Sequence, residues 1–215
     1  MKTSRIGSLR TGIITTGLIG IVALSNPNIS CTPISISSEQ REIILKQVEN
    51  KPYTALFEGL QPFSGYRMKD IAESLERMGI PACATSGNEN AHMEMIRKAR
   101  SHNQKIRIAG FSMGEKVARN LAQKCADEGI PVNALILIDG PDLGDISGNV
   151  EKVIDIRGYS PRYVLRRQGR YTEENLRNKN TRIKRYDIPG SHLDIPANSR
   201  SIIISEILGD YSKGR

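Results

Sequence analysis

The residue types best suited to chemistry gather around one short run, Gly110-Phe111-Ser112-Met113-Gly114. This GxSxG pattern falls between an apolar strand pattern and an amphipathic helix pattern, a context that suits a serine nucleophile. The hydroxyl has to project from a sharp strand-to-helix turn above a sheet edge, and flanking glycines remove side chains that would collide there. A glycine-rich turn that binds phosphate is the competing reading of the same residues.

A serine hydroxyl is a weak nucleophile until a base stands within hydrogen-bond reach. The chain has three histidines, His92, His102 and His192. His92 sits in a helix pattern ahead of Ser112, and His102 lies where a strand begins; both read as surface histidines. His192 follows the last strand pattern, after Pro189-Gly190-Ser191, at the carboxyl edge where open α/β sheets build their sites. It also completes the order Ser, acid, His that strand-elbow-helix sites follow. Its bland alternative is an exposed loop histidine.

The acid has to orient the imidazole and stabilise its protonated form. Asp139 stands directly after the strand pattern Ala134 to Ile138, whereas Asp142 and Asp145 lie farther along a Gly/Pro loop. The competing role for Asp139 is turn formation before Gly140-Pro141. The oxyanion formed on attack needs preorganised N–H donors. Met113 offers one, and Gly59 or Leu60, in the loop after the first strand, offers the other; the sequence does not choose between these two.

The elements that must hold these residues are βαβ units. From Pro52 onward, short apolar runs alternate with amphipathic helical patterns, the signature of a parallel sheet with crossover helices. Strands are expected at Tyr53 to Phe57, Pro81 to Thr85, Lys105 to Gly110, Pro131 to Ile138, Lys152 to Arg157 and Thr181 to Ile188. Between them lie a helix from about Arg67 with Met68, Ile71, Ala72, Leu75 and Met78 inward, and one from about Asn88 with Met93, Ile96 and Ala99 inward. A third, from near Met113, carries Val117, Ala118, Leu121, Ala122 and Cys125 on one stripe. A final helix covers about Asn198 to Leu208. Ser37 to Asn50 reads as an N-terminal helix with Ile43, Ile44 and Val48 inward. Gly-Ile-Pro occurs at Gly79 to Pro81 and again at Gly129 to Pro131, a helix stop reused before two strands. The fold class expected is α/β, with about six mostly parallel strands flanked by helices on both faces.

The 215 residues suffice for one α/β domain with a real core, expected over residues 31–215, and are too few for two ordinary domains. The absence of Trp and the 5% aromatic content argue against an aromatic-lined sugar or single-strand nucleic-acid groove, so no nucleic-acid partner is expected. Net charge is +8. The excess concentrates between Arg157 and Arg185, where Arg162, Arg166, Arg167, Arg170, Arg177, Lys179, Arg182 and Lys184 are opposed by Glu173 and Glu174. This run reads as a solvated connecting segment or as a surface facing anions such as a membrane.

Lys2, Arg5 and Arg10 precede the weakly polar-to-apolar run Gly12 to Leu24, and a Pro/Asn/Ser stretch follows. Residues 1–30 therefore read as an export signal, with cleavage after Ser25, or as a retained membrane anchor. Export to the periplasm or beyond the cell is expected. Lipidation of Cys31 fits less well, because Asn28 stands where an aliphatic residue is wanted. The three cysteines match no zinc or redox spacing; Cys83 and Cys125 read as small buried hydrophobes, and no disulfide is assigned.

Ala109-Gly110-Phe111-Ser112-Met113-Gly114 resembles the elbow of the thioesterase branch of the α/β hydrolases. Leu137-Ile138-Asp139-Gly140 resembles its strand-end acid, and Gly190-Ser191-His192 its histidine loop. The resemblance spans roughly Tyr53 to Leu208. It implies a reduced α/β-hydrolase fold and cleavage of small acyl esters or thioesters through a covalent acyl-enzyme on Ser112, with Asp139 and His192 as partners and neither metal nor organic cofactor. Departures accompany it. Glu115 stands where a small residue is usual, which puts a carboxylate near the site. The loop after the first strand lacks the HG pair of many lipases. Many hydrolases carry the acid one strand later, where this chain has Arg157, Gly158 and Tyr159. An export signal fits poorly with cytosolic editing of carrier-bound acyl groups, so an oxyester or lipid substrate is favoured. The rival expectation is a non-catalytic module of the same fold that binds an anionic surface or partner through the basic 157–185 segment.

Overall fold

A strand covered on both faces reads as an unbroken apolar run, and such runs form the centre of the sheet. The computed structural model describes residues 35–59, 67–159 and 169–209, all within the unit Cys31–Arg215. The expected export segment 1–30, Cys31, Leu60 and Arg162, Arg166 and Arg167 lie outside the described residues. Strands β1 (Tyr53–Phe57), β2 (Ala82–Thr85), β3 (Ile106–Phe111) and β4 (Ala134–Ile138) are buried at every position. With β5 (Lys152–Tyr159) and β6 (Arg182–Pro189) they form a six-stranded sheet, ordered β2-β1-β3-β4-β5-β6 and parallel at every pairing. Edge strand β6 turns Arg182, Lys184 and Arg185 to solvent, charges that discourage pairing with another chain.

Helices α1 (Ser38–Gln47), α2 (Arg67–Arg77), α3 (Glu89–Ser101), α4 (Gly114–Asp127), α5 (Ile195–Asn198) and α6 (Arg200–Leu208) cover the sheet. The alternation of side chains along each strand divides the core in two. Leu135, Leu137, Ile108 and Ala55 face α1, α3 and α4, and Ile136, Ile138, Ala109 and Leu56 face α2, α5 and α6. The chain therefore runs outward from β1 to β2 and then returns across β1 to β3. The reversal puts a topological switch point at the carboxyl ends of β1 and β3, the place where doubly wound sheets bind ligands.

Both Gly-Ile-Pro stops have the same geometry. Gly79 and Gly129 take φ of 76° and 67°. Ile80 N donates to Leu75 O and Gly79 N to Glu76 O, and Ile130 and Gly129 repeat this with Cys125 and Ala126, which is a Schellman cap in each case.

Element positions follow the expected order with ends moved by a few residues, and particular side chains differ. Met78 and Ile43 are exposed. Met78 lies past the last turn of α2, and the buried residues at α1 are Ile44 and Val48, with Leu45 partly buried beside them. The last helix, expected from about Asn198, is α6 from Arg200, and a separate four-residue helix, α5, precedes it. His92, expected at the surface, is completely buried. Its Nδ1 is 2.7 Å from the Tyr53 hydroxyl and its Nε2 2.9 Å from Thr85 Oγ1. Burial pushes the His92 pKa down to about 3, so the ring is a neutral tie between α3 and the ends of β1 and β2. His102 is exposed, and Cys83 and Cys125 are buried, as the sequence implies. No helix among the described residues is long and apolar enough to cross a membrane.

Candidate active site

Strand β3 ends at Phe111, and Ser112 turns the chain into α4 with a φ of 55°, a left-handed conformation that costs an L residue about 1–2 kcal/mol. Neighbouring backbone fixes it: Ser112 N donates to Ile138 O at 2.9 Å and Ser112 O accepts from Glu115 N at 3.0 Å. The flanking glycines explain themselves sterically. A Cβ on Gly110 falls 2.8 Å from Glu115 Cα, and one on Gly114 falls 2.8 Å from the carbonyl carbon of Phe57. The first turn of α4 thus packs directly on the ends of β1 and β3, which is possible only without side chains at these positions.

The structure brings Ser112, Asp139 and His192 together. His192 Nε2 is 2.9 Å from Ser112 Oγ, and His192 Nδ1 is 2.6 Å from Asp139 Oδ2. Asp139 follows β4, is buried, and has a φ of 49°. Its other oxygen, Oδ1, accepts the Gly158 N–H at 2.8 Å, so the carboxylate is held at both oxygens. With Nδ1–H directed at Asp139, Nε2 presents its lone pair to the serine hydroxyl.

The His192 loop is stapled. Gly190 N donates to Tyr159 O at 3.1 Å, and Asp194 N to Ser191 O at 2.9 Å. The Ser191 hydroxyl donates to Asp194 Oδ2 at 2.5 Å and Asn198 Nδ2 to Pro189 O at 2.8 Å. The Ser191 hydroxyl and amide hold the Asp194 carboxyl below its ordinary pKa. The Phe111 ring stacks on the imidazole with centroids 4.9 Å apart.

Of the residues expected to bind an oxyanion, Met113 opens α4 beside Ser112, and Gly59 passes over the serine. A Cβ on Gly59 falls 2.9 Å from Ser112 Cβ, so a side chain there would occupy the space above the hydroxyl. The Met113 and Gly59 amide N–H groups have no hydrogen-bond partner among the described residues. Leu60, the alternative, is outside those residues. Asp142 and Asp145 do not join the site: they pair with Arg119 and Arg177 at 2.9 and 3.4 Å.

Glu115, expected to place a carboxylate near a substrate, is corrected. It is 1% exposed and its carboxylate is taken up by an ion pair with Arg157 at 3.0 Å. The basic run is also engaged locally. Arg157 lies between Glu115 and Asp155, Arg170 pairs with Asp187, Arg177 with Asp145, Lys184 with Glu206, and Arg185 donates to the Tyr171 carbonyl. Among its described members, several side chains meet a neighbouring acceptor, while Arg182, Lys184 and Arg185 stay exposed on β6.

The sequence reading missed Glu58, next to Gly59. Its Oε1 accepts the Lys69 N–H at 2.9 Å, which ties the end of β1 to the first turn of α2. Burial pushes its pKa from 4.5 up to about 7, against the amides of Lys69 and Met68, which favour the charged form. A carboxyl raised on folding contributes stability that is full below its unfolded pKa and is lost as pH rises through the folded one. Glu58→Gln does not titrate. It is therefore expected to gain on the wild type by up to roughly 3 kcal/mol between pH 4.5 and 7, and by nothing more above that. Thermal melts of both proteins at pH 4.5, 6 and 8 measure this, and a constant difference across the range would refute it.

No protein-family model matches the sequence, and no curated protein matches it. Solved structures do. An arylesterase superposes with a TM-score of 0.53 at 15% identity, covering 75% of this chain and 75% of that one. A protein of unknown function from Agrobacterium tumefaciens, assigned to the α/β hydrolases, gives 0.52 at 10% identity, covering 74% and 87%. The type II thioesterase BorB from the borrelidin biosynthetic cluster gives 0.50 at 11% identity, covering 74% and 92%. The six-stranded parallel sheet with helices on both faces is the α/β-hydrolase fold.

Proposed function

We propose that this chain is an exported serine hydrolase that cleaves small acyl esters or thioesters through a covalent acyl-enzyme. One observation carries the reading: the unbroken hydrogen-bonded line from Ser112 Oγ through the His192 imidazole to Asp139, at 2.9 and 2.6 Å, at the carboxyl edge of the sheet. In the proposed reaction Ser112 Oγ attacks the acyl carbonyl carbon while its proton passes to His192 Nε2. Asp139 stabilises the resulting imidazolium, and the N–H groups of Met113 and the Gly59 loop receive the oxyanion. Collapse expels the alcohol or thiol, which takes its proton from His192. Water, deprotonated by the same imidazole, then releases the acid and restores the serine.

The surroundings favour an apolar acyl group. Met113, Tyr159 and Leu193 are 40%, 49% and 42% exposed. They adjoin in sequence, in turn, Ser112, the Gly158 that holds Asp139, and His192, and we take these exposed apolar side chains as support for an apolar acyl group. The weakly polar-to-apolar run Gly12 to Leu24 behind Lys2, Arg5 and Arg10 supports export, which favours an oxyester or lipid over a carrier-bound thioester.

Turnover of p-nitrophenyl acetate, butyrate and octanoate, with S-butyrylthiocholine as the thioester, tests the reading. Saturable hydrolysis is expected, with kcat/KM rising from acetate to butyrate by roughly 10-fold or more as apolar area is buried. Rates equal to buffer for all four compounds would overturn it.

A further inference from the structure

We propose that Glu115 and Arg157 are positioning residues that clamp the turn bearing Asp139, holding its carboxylate against His192. The inference rests on the reading of Asp139 as the residue that orients the imidazole.

Asp139 occupies a left-handed conformation, φ 49°, which an L residue keeps only where its surroundings over-determine it. The residue that follows, Gly140, is gripped at both its N–H and its carbonyl. Gly140 N donates to Glu115 Oε2 at 2.7 Å, and Gly140 O accepts from Arg157 Nη1 at 2.8 Å. The two grips are tied together, because Arg157 Nη1 and Nη2 meet Glu115 Oε2 and Oε1 at 3.2 and 3.0 Å. The pair is anchored in turn: Arg157 Nε donates to Asp155 Oδ1 at 2.6 Å, and the Tyr171 hydroxyl to Glu115 Oε1 at 2.8 Å. Glu115 and Arg157 are 1% and 2% exposed. A Cβ on Gly140 falls 2.7 Å from Glu115 Cβ, so the glycine is what lets the carboxylate reach the backbone.

The clamp closes on the acid from the next strand as well. Arg157 is followed by Gly158, whose N–H holds Asp139 Oδ1 at 2.8 Å. Glu115 belongs to the first turn of α4, three residues after Ser112. One buried network therefore fixes the nucleophile's helix, the turn of the acid and the strand beside it as a single body. Planar guanidinium geometry is needed for this, since one group serves a carbonyl and two carboxylates at once.

Arg157→Lys keeps a positive charge in the network, but a single ammonium cannot span those acceptors. Its kcat on p-nitrophenyl butyrate is expected to fall roughly 10- to 100-fold with KM within about twofold of wild type, as for a catalytic group displaced by less than an ångström. The low-field proton NMR resonance of the hydrogen between His192 Nδ1 and Asp139 is expected to shift or vanish. Glu115→Gln keeps one acceptor for Gly140 N–H but turns its NH₂ toward the donors Arg157 Nη2 and Tyr171 OH, so its kcat is expected to fall and the resonance to shift in the same way. The proposal is overturned if Arg157→Lys loses only thermal stability, with kcat and resonance unchanged. It is overturned equally if Glu115→Gln keeps wild-type kcat and an unshifted resonance. The resonance does not depend on turnover: a displaced resonance in Arg157→Lys, with no hydrolysis by the wild type, leaves the clamp standing and removes the hydrolase reading alone.

Discussion

Ser112→Ala is expected to lower kcat toward p-nitrophenyl butyrate on the order of 10⁴- to 10⁶-fold, the loss that follows removal of a nucleophile whose base and acid have no other function. The substitution deletes one atom. Alanine bears the same left-handed backbone penalty as serine, and the hydrogen bonds of Ser112 N and O to Ile138 and Glu115 are made by the main chain. Folding should therefore be nearly unaffected, with a Tm change of no more than a few degrees. Kinetics and thermal melts on the same preparations separate a lost reaction from a lost fold. A phosphate-binding turn in the same place would give equal rates for the two proteins.

The second large effect is Asp139→Asn, expected to reduce kcat by roughly 10³- to 10⁴-fold. Gly158 N–H selects the amide oxygen for the Oδ1 position, which turns the amide NH₂ toward His192 Nδ1. That nitrogen must then accept, the ring proton moves to Nε2, and Nε2 can no longer take a proton from Ser112. The same substitution discriminates the competing role of Asp139 as a turn former. Asparagine tolerates the left-handed region at least as well as aspartate, so a turn role predicts unchanged stability together with unchanged kcat. Steady-state kinetics on the variant distinguish the two.

The sheet was legible because burial on both faces writes itself into consecutive residues, as in Ala134–Ile138, and because helix stops such as Gly79 and Gly129 are local. The serine elbow was legible as a pattern: the steric demand on Gly110 comes from Gly114 and Glu115 close by, whereas that on Gly114 comes from Phe57 on β1. His192 followed from scarcity and from its place after β6. What stayed hidden was pairing at a distance. His92 looked like a surface residue because nothing near it announces Tyr53, 39 positions earlier, as its partner. Glu115 seemed to belong to the substrate, since the guanidinium that captures it lies 42 residues onward on another strand. Glu58 carried no periodic signal at all; its raised pKa arises from burial beneath the start of α2. Arg157 lay within a run of positive charge that reads as solvated, while in the fold that run meets Glu115, Asp155, Asp187, Asp145 and Glu206 one side chain at a time.

The central claim is that the Ser112 hydroxyl is an activated nucleophile. Reaction with a fluorophosphonate, mapped by tandem mass spectrometry, tests it most directly. The expected result is one phosphonyl adduct per chain, on Ser112, absent from Ser112→Ala and formed far more slowly in Asp139→Asn. An unlabelled protein, or an adduct on another residue with Ser112 intact, would contradict it.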